Sequence, residues 1–118
     1  MRKFVFALFA FFVAARLAWT QEKPDSNDVP AGHRLAIPIC ASCHVAAQDQ
    51  PNDPILRPPA ESFVSIAQRK SFTAEWLQSY LKTTHRGLDN PKGMPNPDLS
   101  DLQAKQVATY LLSLRKNP

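Results

Sequence analysis

A chain of 118 residues with 14 Lys plus Arg, 10 Asp plus Glu and two cysteines has room for one domain. Its formal charge of +4 lies at the start: Arg2, Lys3 and Arg16 meet no acid in residues 1–20, whereas residues 21–118 carry eleven basic against ten acidic side chains. A body this close to neutral excludes nucleic-acid binding by a basic face, and cysteines only three positions apart close too small a loop to staple a small fold.

Arg2 and Lys3 lead into the apolar run Phe4 to Ala15, and the small residues Ala18 and Thr20 precede Gln21. That pattern predicts a secretory signal peptide over 1–20. The run falls short of the roughly 20 apolar residues that cross a bilayer. Residues 21–118 are then a periplasmic domain with no stable membrane insertion; an uncleaved anchor reaching Trp19 is the competing reading. Residues 21–30 read as a polar lead-in, and Ala31 to Ile37 as a short helix that Pro38 kinks or ends. An irregular, proline-rich loop follows from Gln48 to Pro59. Glu61 to Gln68 gives one or two helical turns. Thr73 is placed to cap a helix from Ala74 to Thr83, where Trp76 and Tyr80, and Leu77 and Leu81, repeat at i, i+4 and predict one buried face. His85 to Pro97 is irregular again. Ser100-Asp101-Leu102-Gln103 fits a capping box for a helix to about Arg115, with Val107, Tyr110, Leu111 and Leu114 on one stripe. No segment alternates as a strand. The fold class is all-α, about four short helices joined by long proline-rich loops.

Cys40-Ala41-Ser42-Cys43-His44 carries the chemistry. Two thiols at this spacing followed at once by histidine form the covalent haem attachment pattern. Each thiol forms a thioether with one vinyl group of a single porphyrin, and the adjoining imidazole of His44 becomes the fifth iron ligand. A redox dithiol would call for a preceding strand, which is missing, and a zinc site would have to find its fourth ligand in His33 or His85. His33 is expected to face solvent. Apart from the initiator, Met94 is the single methionine. It sits in Asn90-Pro91-Lys92-Gly93-Met94-Pro95-Asn96-Pro97, a polar, proline-locked loop that suits a thioether held toward iron better than one packed in a core. His/Met is a recognised haem pairing; His85 or an open sixth position are the alternatives.

With Cys40-Ala41-Ser42-Cys43-His44, the Met94-Pro95 loop and Val107-Ala108-Thr109-Tyr110-Leu111 in the last helix, the chain resembles the class I cytochromes c of bacteria, the small monohaem type, from about Gly32 to Arg115. The resemblance implies the cytochrome c fold wrapped around one covalent haem c. It implies that Gly32 lets the first helix cross the last against Tyr110, and that a proline carbonyl, Pro58 or Pro59, accepts the proton of the second His44 nitrogen. Trp76 or Tyr80 is the candidate to reach a propionate, with core packing the reading preferred for Trp76. The expected role is single-electron transfer between redox protein partners (a dehydrogenase, reductase or oxidase) by transient docking, as a monomer or a subunit of a small complex. Lys92, Lys70, Arg69 and Arg86 are candidates for the docking rim. The rival readings are the haem subunit of a periplasmic dehydrogenase or sulfur-compound oxidising complex, and a haem enzyme or ligand binder with an open distal side.

Overall fold

A computed structural model of the protein describes residues 25–83, 85 and 92–115. The predicted signal segment and Arg86 lie outside these residues. Four helices follow in order: α1 (Asp28–Cys40), α2 (Phe63–Ala67), α3 (Ala74–Leu81) and α4 (Asp101–Ser113). The described residues contain no strand beyond a single parallel bridge between His44 and Ala60, so the all-α expectation holds.

Helix α1 is longer than its sequence suggests and continues past Pro38 to Cys40. The expectation that Pro38 ends it is corrected. Proline withholds one amide from the carbonyl four residues back, here Arg34, and both residues lie on the exposed face where water can serve that carbonyl. Pro30 is tolerated because first-turn amides have no helical acceptor. The opposite face buries Asp28, Gly32, Ala36 and Cys40, a stripe at spacing four composed mostly of small residues. Asp28 enters it at the helix N-terminus, with its Oδ2 3.7 Å from Lys105 Nζ.

That stripe lies against α4, the largest helix–helix contact of the fold. A Cβ added at Gly32 would stand 2.0 Å from the Gln106 carbonyl oxygen and 2.7 Å from Tyr110 Cβ. Only glycine allows the two backbones this near. Helix α4 starts with the full capping box, Ser100 accepting from the Gln103 amide and the Gln103 side chain accepting from the Ser100 amide. It buries Ala104, Val107, Ala108, Tyr110 and Leu111. Tyr110 donates its hydroxyl to the Ala46 carbonyl at 3.0 Å, which satisfies a buried phenol and anchors the loop after His44 to the crossing. Gln50 locks the same loop by accepting from the amides of Ala46 and Ala47.

The two middle helices are shorter than expected. Ser62 caps α2 and Thr73 caps α3, each accepting from the amide three residues on. Leu77 and Leu81 of α3 are buried, but Trp76 is 47% exposed. The core position preferred for Trp76 is therefore corrected: one residue along a helix turns the side chain by about 100°, so Trp76 leaves the face that Leu77 puts against the core. His33 is half-buried rather than fully turned to solvent. Its ring meets Tyr110 edge-on at 5.2 Å, and its Nε2 lies 2.8 Å from Asp49 Oδ1.

Two outcomes follow from this packing. Gly32→Ala is expected to lower unfolding free energy by about 1–3 kcal/mol, the usual cost of overpacking, despite alanine's better helix propensity; denaturant unfolding of the haem-loaded protein measures it. The hydrogen bond from His33 holds the Asp49 carboxyl below its ordinary value of 3.8. A depressed carboxylate stabilises the fold above that value, and the contribution is lost as pH falls through the lowered pKa. His33→Phe keeps a ring against Tyr110 and removes the bond, so carboxyl-detected NMR should find the Asp49 midpoint raised.

Candidate haem site

The last turn of α1 delivers the attachment motif. The Cys40 carbonyl accepts from the amides of both Cys43 (3.1 Å) and His44 (3.0 Å), so the helix end tightens into the turn that bears the two remaining motif residues. The following chain then folds back over it. Ile55 and Leu56 donate to the Ser42 carbonyl, Ala60 donates to Cys43 and Phe63 donates to Val45. These bonds set His44 opposite Ala60 and bring the next carbonyl, that of Glu61, to 2.6 Å from His44 Nδ1. The expected acceptors, Pro58 and Pro59, are both exposed, and that assignment is corrected: bridge register, not residue type, chooses the carbonyl. Since a carbonyl can only accept, Nδ1 carries the proton and Nε2 keeps its lone pair. The Phe63 ring, tilted at 5.6 Å, packs beside the imidazole.

Both cysteines are free. Cys40 is buried, and burial first, the neighbouring Cys43 second, pushes its thiol up to about 11. Cys40 opens into two clefts, and Cys43 into the second of them. One, of about 410 Å³, runs between α2 and α3 and is walled by Phe63, Ile66, Phe72, Leu77, Leu81 and Leu111, with Trp76 and Tyr80 at its side. The other, of about 340 Å³, is bounded by Ile39, Leu56, Lys92 and the Gly93–Pro95 segment. Cys40, His44 and Met94 line both, so the clefts are two parts of one slot that carries the sequence-predicted ligands in common.

Met94 is half-buried, and its loop is tied to the chain beyond α3. The Met94 carbonyl accepts from the His85 amide at 2.7 Å, and Asn96 Nδ2 donates to the Lys82 carbonyl at 3.3 Å. His85 itself lines neither cleft. Its Nε2 lies 3.0 Å from Thr83 Oγ1 and 3.3 Å from the Tyr80 carbonyl. Of the basic residues expected at the rim, Lys92 borders the second cleft, and Arg69 borders the first while pairing with the Glu61 carboxylate. Lys70 is exposed and lines neither.

Two contributors leave no mark on the sequence. Glu61 acts through a backbone carbonyl, which any residue would supply. Arg115, just past α4, donates to the carbonyls of Ala67, Arg69 (3.0 Å) and Phe72 (2.6 Å). One guanidinium thus gathers the turn between α2 and α3, which forms the first cleft's wall.

Two free thiols, an imidazole with Nε2 available, a thioether and apolar walls are the donor set of a covalently attached haem. A zinc site finds no comparable set, since no cluster of three or more His, Cys, Asp or Glu among the described residues could hold a metal ion. The fold and site thus define a small c-type cytochrome. The chain belongs to the cytochrome c family, whose model matches residues 29–115, and is a class I member carrying haem c as an electron carrier. It is similar to "Cytochrome c-552" of Bradyrhizobium diazoefficiens, with 39% identity over 88 residues that cover 75% of this chain and 76% of the relative. No solved structure matches it significantly.

Arg115→Ala should cost about 2 kcal/mol, as expected for losing charge-assisted hydrogen bonds. Arg115→Lys should recover less than half, because a compact ammonium lacks the planar fork that spans several carbonyls. Urea midpoints read the loss, and hydrogen exchange should quicken at the amides of residues 68–73 before the rest of the core.

Proposed function

We propose that this cytochrome is an exported, periplasmic carrier whose iron is held between His44 and Met94 and which passes single electrons between redox proteins. The observation that carries the ligand reading is that His44 and Met94 border both halves of one slot. The charged start and apolar run of residues 4–15 support export, with removal near Gln21. Among the described residues no helix is long and apolar enough to cross a membrane.

Haem c supplies a one-electron iron(III)/iron(II) couple. The protein's part is to fix, shield and tune it. Cys40 and Cys43 hold the group as thioethers. The Glu61 carbonyl orients His44 and raises its basicity, as second-layer hydrogen bonds to ligand imidazoles do. Met94 as a ligand would favour the reduced iron and raise the potential. Held by His44 and Met94, both restrained by the fold, the iron would be open to small molecules only on displacement of Met94, and little rearrangement would accompany electron transfer. Phe63, Ile66, Phe72 and Leu77 keep water from the slot. Ile39 and Leu56, with Lys92 beside them, give the second cleft a mostly apolar rim, suited to the small, short-lived contacts of redox partners.

The oxidised protein is expected to show the weak red charge-transfer band of methionine-ligated iron(III), and Met94→Ala to abolish it and lower the potential. Carbon monoxide should bind reduced Met94→Ala readily and the reduced wild type poorly. Ready binding to the wild type, or a band that survives Met94→Ala, would overturn the ligand assignment. N-terminal sequencing of protein from the periplasm should begin near Gln21.

A further inference from the structure

A lone methionine in a loop is a weak grip on a metal unless something holds the loop. Gly93 precedes it without a Cβ, and Pro95 follows with a fixed φ but no amide to donate. The carbonyl of Met94 is fixed by the 2.7 Å bond from the His85 amide, and an amide restrains its acceptor only as firmly as its own residue is restrained. The second tether, Asn96 to Lys82, is longer and exposed.

The His85 ring provides that restraint. It lies flat on Tyr80, with ring centroids 3.6 Å apart and planes at 7°. Tyr80 stacks on Trp76 at 4.8 Å and 20°, and Trp76 meets the edge of Phe72 at 4.7 Å. Phe72 is buried in the core. An aromatic ladder therefore runs from the core, along α3, to the residue whose amide holds Met94. Trp76 and Tyr80 also wall the first cleft, so the same rings that bound the slot brace its methionine.

We propose that His85 is the positioning residue of the Met94 ligand, acting through its stack on Tyr80 rather than by binding iron. The proposal rests on Met94 being the axial ligand. It makes the strength of that bond depend on a ring that does not enter the slot.

Imidazole, titrated into the oxidised haem-loaded protein, competes with Met94, and its apparent affinity reads how firmly the methionine is held. In His85→Ala the apparent affinity is expected to rise about tenfold, the scale of one aromatic pair, with the red band lost at correspondingly lower imidazole. His85→Phe keeps the ring and the backbone amide but not the Nε2 contacts, and should stay within about threefold of the wild type. Far-ultraviolet circular dichroism of each variant checks that the helices remain. A merely structural role would lower the unfolding midpoint of His85→Ala with imidazole affinity unchanged, and that result overturns the proposal. So does His85→Phe behaving like His85→Ala, because the stack would then not be the cause. Absence of the red band from the wild type marks a different failure, that of Met94 as ligand.

Discussion

The approach of α1 to α4 at Gly32 is the constraint from which the rest follows. With the Gln106 carbonyl and Tyr110 Cβ both inside the space of a single methyl group, the helices meet backbone to backbone. Ala36 and Cys40 are then carried along the same stripe, so the end of α1 is fixed relative to α4. Tyr110 belongs to that crossing and reaches over to the Ala46 carbonyl, only two residues past His44. One contact thus aims the attachment motif from both its ends. A small domain has little apolar area to spare, and this close crossing fixes the helix whose last residue is Cys40.

His44 and Met94 are restrained by different means. His44 is fixed locally: the carbonyls of Cys40, Cys43 and Val45 accept from amides in a closed set of backbone bonds, and the Glu61 carbonyl takes its ring proton. Nothing in that set depends on side-chain identity apart from the imidazole. Met94 is fixed at a distance, through amide and side-chain bonds to residues beyond α3 and through the aromatic rings behind them. The histidine side is therefore the stiffer one by construction.

Electrostatics play a small part. The basic excess belongs to the first 20 residues, and the remaining chain is within one charge of neutral. The rim of the slot mixes Ile39 and Leu56 with Lys92, while Arg69 is occupied by Glu61.

The cofactor class was legible in the residue pattern. Cys40, Cys43 and His44 are defined by spacing alone, and the single loop methionine stands out because thioethers seldom sit in polar surroundings. The starts of the last two helices were legible too, as Ser100 and Thr73 cap where their hydroxyls suggested, since capping is a local event. What tertiary structure decided is everything that depends on a partner distant in the chain. Pro38 stays within α1 because its missing bond falls on the solvent side. Glu61, not Pro58 or Pro59, receives the His44 proton because bridge register sets which carbonyl faces the ring. Trp76 leaves the core for the wall of the slot, and Arg115 reaches the carbonyls of a turn more than forty residues away in the chain. Backbone carbonyls look alike in any sequence, so the one that a side chain meets is fixed only when the chain has folded.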